Sequence, residues 1–136
     1  MIKLTRPDCP NPGALASNNY REATNKAALR DASHGKCMYC EANVEANSYY
    51  DIEHFKPKAH FPALKYEWSN LGYSCERCNR NNKSDKFDEN LIDPYAEDPE
   101  EHLAFYGTFY NGIQNSQKAE VTIDIVNLNR TELQAK

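Results

Sequence analysis

This 136-residue sequence contains no long hydrophobic run. No stretch reaches the roughly 18 apolar residues needed to cross a bilayer, and the opening MIKLTRPDCPNP lacks the apolar core of a secretory signal. Internal repeats, low-complexity tracts and a nucleotide-binding loop are also missing. These absences predict a soluble, cytoplasmic protein with no membrane partner and no ATP site of its own.

The sequence also lacks the basic excess that most nucleic-acid-binding proteins carry. Its formal net charge is -4, but the charges are unevenly distributed. Seven basic and three acidic residues lie between His54 and Lys86, whereas residues 87–107 hold seven acidic residues and no Lys or Arg. The middle of the chain therefore suits a phosphate-bearing partner. The acidic segment, residues 88–101, is either a solvated surface or one that docks on a partner or screens the basic site.

The length and the mixed helix and strand patterns predict a single α+β domain over residues 1–136. We divide it into an N-terminal arm and helix (1–36), a core (37–86) and an acidic segment with a hairpin and C-terminal helices (87–136). In the first part, prolines keep the chain extended to Gly13. A helix follows, with Ser17 or Asn18 as its cap and Gly35 as its terminator.

The core and the last part of the chain have their own predicted elements. The core should contain a strand within 47–55, an irregular loop at 56–68, a second strand at 70–74 and a short, very polar helix at 75–85. A hairpin is predicted from Leu103 to Gly112, with Gly107 at its bend. The tail fits either a strand or two short helices broken near residues 127–129, and we favour the helices.

Four of the five cysteines form two CxxC pairs, Cys37 with Cys40 and Cys75 with Cys78, separated by 34 residues. Two such pairs supply the four thiolates of a structural zinc site, which leaves no open position for a reacting water. A redox CxxC, an iron site and chance are the alternatives. Zinc can contribute on the order of 10 kcal/mol to folding, enough to hold a very polar helix in place. Cys9 is left over, and we interpret it as an unligated thiol.

The motifs EHFKPK, WSNL and CERCNRNNK follow one another within residues 37–86. In this order they resemble the HNH nuclease motif, a ββα-metal unit in which two strands and a helix hold one divalent cation. Together with CMYCE, LIDP and TIDIVNLNR, they resemble the zinc-bearing HNH proteins of Septu antiviral systems, the PtuB family, including its retron-associated members. The resemblance implies a small zinc-stapled HNH ββα-metal core with flanking helices and a C-terminal hairpin and helical segment.

The resemblance also assigns roles to polar residues. It implies that His54 is the general base, that Glu53 and Asn79 bind a catalytic Mg²⁺ or Mn²⁺, and that Asn70 fixes the loop. These residue types suit the chemistry, because a neutral imidazole accepts a proton from water and oxygen ligands hold a hard cation. In the family the Glu53 position is commonly Asp and the Asn79 position is often His, which leaves the choice of metal open.

Further contacts follow from the same comparison. Lys83 is a candidate phosphate contact and Lys56 a weaker one.

Glu53 and His54 are adjacent, so on an ideal strand they face opposite ways, and a bulge or a strand end is needed to bring both to one site.

Two functions remain in competition at this point. The first is a metal-dependent endonuclease that hydrolyses phosphodiester bonds of DNA or RNA, beside the ATPase subunit that the resemblance implies. The second is a non-catalytic zinc module that binds nucleic acid or a protein partner.

Overall fold

The structure, a computed structural model, describes residues 1–43, 50–107 and 109–131. The chain forms three α-helices, one π-helix and four short strands within these ranges. In order they are α1 (Pro12–Ala16), α2 (Ala23–Ala32), β1 (Tyr50–His54), β2 (Leu71–Cys75), the π-helix (Arg77–Lys83), β3 (Leu103–Tyr106), β4 (Phe109–Gly112) and α3 (Gln117–Val126). The predicted α+β class is confirmed. No helix in the described part of the chain is long and apolar enough to cross a membrane.

The centre of the fold is the antiparallel pair β1 and β2. Tyr50 lies opposite Cys75 and His54 opposite Leu71, in a regular register. Two strands alone are marginal in water, so neighbouring elements must cover them. Helix α2 and the π-helix pack against β2. The Cys37–Cys40 turn also packs against β2, so closely that a Cβ atom at Gly72 would collide with the Met38 side chain. All ten strand residues are consequently buried.

The polar helix predicted at 75–85 is present, but it is a π-helix over Arg77–Lys83. Its wider turn is visible where the Ser84 amide donates to the carbonyl of Asn79, five residues earlier, at 2.6 Å. It ends at Ser84, which has a left-handed φ of 49°. Cys78 and Lys83 are its buried residues, so a sulfur ligand and a charge, rather than an apolar stripe, face the rest of the protein.

The N-terminal arm lies across the start of β2 and has no regular structure up to Asn11, whereas the predicted extended stretch ran to Gly13 and overlaps the first residues of α1. Arg6 Nη1 donates to the carbonyls of Trp68 and Leu71, both at 2.8 Å, and Trp68 Nε1 donates to the Pro7 carbonyl at 2.7 Å. The arm therefore fixes the segment that joins the 56–68 loop to β2. That loop is irregular apart from one 3-10 turn at Pro62–Leu64, and a second turn, Trp68–Asn70, leads into β2.

The predicted capping of the first long helix is wrong. Helix α2 begins at Ala23, and the Glu22 carboxylate caps it by accepting from the Asn25 amide at 2.9 Å. Asn18 instead has a left-handed φ of 63° beyond the end of the short helix α1. Asn tolerates this conformation as well as it caps helices, so the sequence pattern did not separate the two uses. Gly35, with a φ of 71°, follows the helix as predicted.

The last part of the chain contains the predicted hairpin, in which Leu103 lies opposite Gly112 and Gly107 bends with a φ of 67°. The tail is helical rather than a strand. Helix α3 ends at Asn127, whose left-handed φ of 55° stops it where the break was expected. The second predicted helix falls largely on residues 132–136, and part of the first core strand on 44–49, both outside the described residues.

One buried hydrogen bond joins α3 to the segment before the hairpin. The Ile92 amide donates to Thr122 Oγ1 at 2.9 Å, and both residues are fully buried. We expect Thr122→Val, which keeps the side-chain shape, to lower the free energy of unfolding by about 1–3 kcal/mol because it leaves a buried N–H without an acceptor. Urea denaturation of zinc-loaded protein measures the loss. The exposed Thr5, changed to Val in the same way, is the control, and equal stability of the two variants would contradict the account.

Candidate active site and metal centre

The two CxxC pairs meet at one point of the fold. Their four Sγ atoms lie within 4.8 Å of one another, and all four cysteines are buried. Cys40 Sγ and Cys75 Sγ are 3.8 Å apart, which is about the spacing that tetrahedral coordination at ~2.3 Å per zinc–sulfur bond requires. The cluster joins the Cys37–Cys40 turn, the end of β2 and the start of the π-helix. Cys9 lies outside it, with its Sγ 3.4 Å from the Asn25 amide oxygen.

The surroundings of the sulfur atoms suit thiolates. The amides of Tyr39 and Cys78 donate to the Sγ atoms of Cys37 and Cys75, at 3.4 and 3.5 Å. Hydrogen bonding to Cys37 lowers the pKa of the Cys40 thiol, whereas the contacts with the neighbouring sulfur atoms, together with burial, raise the pKa of the Cys78 thiol. Such donors orient thiolates and offset their charge, as the outer contacts of metal ligands do. The number, kind and spacing of these sulfur atoms therefore fit zinc.

Arg130 is a contact of this cluster that the sequence did not reveal. Its Nη1 donates to Cys78 Sγ at 3.4 Å and also approaches the carbonyls of Val126 and Asn127 at the end of α3. The side chain is nearly buried. Since Arg130 is 52 residues from Cys78, no local pattern links them, and only the packing of α3 places a positive charge beside the sulfur atoms.

His54 is the last residue of β1, so the strand end that the sequence analysis required is present. Its Nε2 lies 3.0 Å from the Lys65 carbonyl. A carbonyl only accepts, so this contact assigns the proton to Nε2 and leaves Nδ1 as the basic nitrogen. Burial lowers the pKa of His54, and the nearby positive charges of Lys58 and Arg21 act in the same direction. The imidazole is consequently neutral at neutral pH.

Asn70 ties together the two sides of the loop between β1 and β2. Its Oδ1 accepts from the Lys56 amide at 2.8 Å, and its Nδ2 donates to the carbonyls of Lys56 and Leu64 at 3.0 and 3.2 Å. All of these acceptors and donors are main-chain groups. The side chain therefore fixes the loop directly beside the Lys65 carbonyl that orients His54.

Glu53 points into the protein, away from bulk water. Its carboxylate is nearly buried, with Oε1 3.6 Å from the Nζ of Lys83, whose side chain is completely buried. Burial raises the pKa of Glu53, and the Lys83 charge opposes that shift. Oε2 is buried without a hydrogen-bond partner among the described residues. An unpartnered carboxylate oxygen is costly to bury, and a bound cation would satisfy it.

Asn79 lies beside β1, where its Nδ2 is 3.4 Å from the Ile52 carbonyl. It lines a cavity of about 230 Å³ together with Glu53 and His54. The carboxylate oxygen of Glu53 and the amide oxygen of Asn79 are donors that a hard cation accepts. These two oxygen ligands fit Mg²⁺ or Mn²⁺. In the structure the Glu53 carboxylate has Lys83 as its counter-ion.

The two predicted lysine contacts occupy different environments. Lys83 is buried, and besides its contact with Glu53 it donates to the His54 carbonyl at 3.2 Å. Lys56 is exposed, with its Nζ 5.7 Å from the Phe61 ring centroid. The cations that line the cavity beside His54 are others, namely Arg21, Lys58 and Arg80. Arg21 lies ahead of α2 and far from the motif in sequence, so nothing in the sequence pattern marks it.

Comparison with known proteins gives consistent results. Residues 37–85 match the family described as HNH endonuclease. The chain is 32% identical to Septu protein PtuB of Bacillus thuringiensis, over 97% of this chain and 56% of that protein. It is 34% identical to Septu protein PtuB of Bacillus mycoides strain KBAB4, over 84% of this chain and 50% of that protein. The chain thus spans about half the length of the curated relatives it matches.

The sulfur cluster predicts one zinc ion per chain. We expect Cys78→Ser to lose the zinc and the ordered π-helix, because the metal joins elements that have little apolar surface to hold them together. Zinc content and thermal unfolding followed by circular dichroism measure the two effects. Cys9→Ser is the matched control, since Cys9 lies outside the cluster, and it should keep both zinc and stability. Retention of stoichiometric zinc by Cys78→Ser would contradict the assignment.

Proposed function

Residues 37–85 match the HNH endonuclease family, and from this premise we propose that the protein is a metal-dependent endonuclease that hydrolyses phosphodiester bonds of DNA or RNA. The observation that supports this most directly is the orientation of His54. Its Nε2 is held by the Lys65 carbonyl at 3.0 Å, and its basic Nδ1 has no hydrogen bond to any described residue. A neutral, fixed imidazole beside a polar cavity is the arrangement that general-base catalysis needs.

In this reaction His54 Nδ1 removes a proton from the attacking water. The Nε2–H bond to Lys65 keeps the ring in the tautomer with Nδ1 unprotonated, and the positive charge gained is shared with that carbonyl. Asn70 holds the loop that carries the carbonyl. The four cysteines hold a structural zinc that anchors the scaffold. Because all four zinc positions are then filled by sulfur, zinc takes no part in proton transfer.

Glu53 and Asn79 are the residues that would hold the catalytic Mg²⁺ or Mn²⁺. When bound, such a cation stabilises the negative charge that develops on the phosphate and the leaving oxygen. The remaining work is done by the chain itself. Lys83 limits the cost of burying the Glu53 carboxylate, and β1 places Glu53 directly before His54, so that the ligand and the base are fixed by the same strand.

We expect His54→Ala to lower the cleavage rate by about 10²–10⁴-fold, because it removes the general base. Zinc content should be unchanged, since His54 is not a sulfur-site ligand. The measurement is nicking of DNA and RNA by purified protein with added Mg²⁺ or Mn²⁺. His34→Asn is the control, because His34 is exposed and has a left-handed φ of 59° that Asn tolerates. Equal cleavage by His54→Ala and the native protein would remove the assignment.

The same base predicts the pH profile. Because burial lowers the pKa of His54, the neutral form persists below the usual value of about 6.5. Cleavage should therefore stay high through neutral pH and fall only as the pH drops below that range and the imidazole becomes protonated.

One observation favours the second candidate, a non-catalytic zinc module that binds nucleic acid or a protein. Glu53 already has a counter-ion in Lys83 at 3.6 Å, and a cation must compete with this contact. Calorimetric titration of zinc-saturated protein with Mn²⁺ separates the candidates. The nuclease binds a second ion, and Glu53→Gln abolishes that binding. A protein that takes up no Mn²⁺ but still binds nucleic acid supports the second candidate.

We further propose that the protein acts as the nuclease subunit of an antiviral complex with an ATPase subunit. The similarity to proteins named Septu protein PtuB supports this. The sequence has no nucleotide-binding loop, so ATP dependence would come from the partner. Within residues 97–101 of the acidic segment, Glu97 is occupied by Lys118 at 2.8 Å and by His102 at 3.1 Å, so of these acidic residues Asp98, Glu100 and Glu101 are the candidates for docking.

A further inference from the structure

One carboxylate beside the His54 cavity holds two guanidinium groups. Asp51 Oδ1 and Oδ2 accept from Arg21 Nε and Nη2, both at 2.9 Å. Arg80 Nη2 reaches the same Oδ2 at 3.2 Å. Asp51 is itself fixed, because its Oδ1 also accepts from the Ile52 amide at 2.8 Å. Three separate parts of the chain, the segment before α2, β1 and the π-helix, converge at this carboxylate.

The burial of the three groups is unequal. The Asp51 side chain is 5% exposed, whereas those of Arg21 and Arg80 are 53% and 52% exposed. The Asp51 carboxylate accepts from two guanidinium groups and from the Ile52 amide, and these contacts favour its charged form. A buried anion thus carries two cations whose outer surfaces face solvent. The Glu76 carboxylate, 44% exposed, lies 3.9 Å from Arg80 Nη1, so two guanidinium groups stand beside one buried and one solvent-exposed carboxylate.

Arg21 and Arg80 both lie at the cavity that contains His54. Arg21, Arg80 and Lys58 all line it, and Lys58 Nζ donates to the Tyr20 hydroxyl at 3.0 Å while the Tyr20 ring lies edge-on to His54 at 4.6 Å. Three cations therefore lie beside the base, together with the carboxylates of Asp51, Glu53 and Asp85. A guanidinium is a planar fork of donors whose geometry matches a phosphate.

An ordinary exposed ion pair would contribute little to stability and has no reason to converge on a catalytic cavity. We propose that Asp51 is a positioning residue that holds Arg21 and Arg80 as a two-guanidinium clamp for the phosphate backbone of a nucleic acid beside His54. The inference rests on the proposed nuclease function. It extends the substrate site beyond residues 37–85, because Arg21 lies outside the matched domain.

The clamp makes a prediction that net charge alone does not. Asp51→Asn removes a negative charge beside the site, so simple electrostatics gives tighter phosphate binding. A positioning role gives weaker binding, since the two guanidinium groups repel each other and lose their common anchor. The direction of the change in affinity therefore tests the role of Asp51 itself.

The experiment measures binding rather than cleavage. Fluorescence anisotropy follows short labelled DNA and RNA, single-stranded and duplex, with zinc-loaded His54→Ala protein at several salt concentrations. We expect Arg21→Met, Arg80→Met and Asp51→Asn each to weaken binding by about 3- to 10-fold, with the two arginine variants also reducing the salt slope by about 1. Arg30→Met is the matched control, because Arg30 is 43% exposed on α2 and pairs with Asp31, away from the cavity.

Several results overturn the proposal. Unchanged or tighter binding by Asp51→Asn removes the positioning role, and an unchanged salt slope in both Arg21→Met and Arg80→Met removes the phosphate contact. Zinc content and thermal unfolding check that each variant folds, and if Asp51→Asn does not, the two exposed arginine variants decide. Failure of the nuclease function is a different result, namely that protein with native His54 cleaves neither DNA nor RNA with Mg²⁺ or Mn²⁺.

Discussion

The junction of four buried thiols is the interaction on which the rest of this structure depends. The π-helix that carries Asn79, Arg80 and Lys83 is too polar to be held by apolar burial, and the strands beside it are only five residues long. A metal held by sulfur from the Cys37–Cys40 turn, β2 and the π-helix would remove this difficulty, because its bonds would replace apolar contacts that a short segment cannot make. Arg130, four residues after the end of α3, adds a contact to the same junction.

The orientation of His54 depends on a second set of contacts, made through the main chain. The side chain of Asn70 holds both sides of the 56–68 loop, and a carbonyl of that loop holds the imidazole. An amide with two donors and an acceptor can bridge two strands of irregular backbone in this way, whereas an apolar residue cannot. A loop without regular structure thereby becomes a rigid part of the site.

The electrostatics of the site differ from those of the whole chain. The net charge is -4, whereas the cavity beside His54 is lined by three basic residues, Arg21, Lys58 and Arg80, and three acidic ones, Asp51, Glu53 and Asp85. Part of the acidity of the downstream segment is used internally, since Glu97 pairs with Lys118. Glu53 and Lys83, by contrast with the exposed cations of the cavity, are buried away from solvent and stabilise each other.

Much of this protein follows from local sequence patterns. The CxxC spacing determines the sulfur cluster, because two residues between cysteines make a turn whose thiols point the same way. Strand-favouring residues and turn residues predicted β1, β2 and the β3–β4 hairpin. The order of the polar motifs around the cysteine pairs predicted the resemblance to the HNH family. The α2 cap was missed because Asn18 suits a left-handed turn as well as an N-cap, and Glu22 is not among the residue types that usually cap helices.

The tertiary structure decided what depends on residues distant in the chain. Arg21 reaches Asp51 across 30 positions and Arg130 reaches Cys78 across 52, and no periodicity or spacing encodes such contacts. The burial of Lys83 against Glu53 was equally invisible, since a lysine in a polar stretch is usually exposed. The sequence by itself determined the kind of chemistry, because that resides in residue type and local spacing. The fold determined which charges line the cavity beside His54, because long-range packing sets burial and pairing.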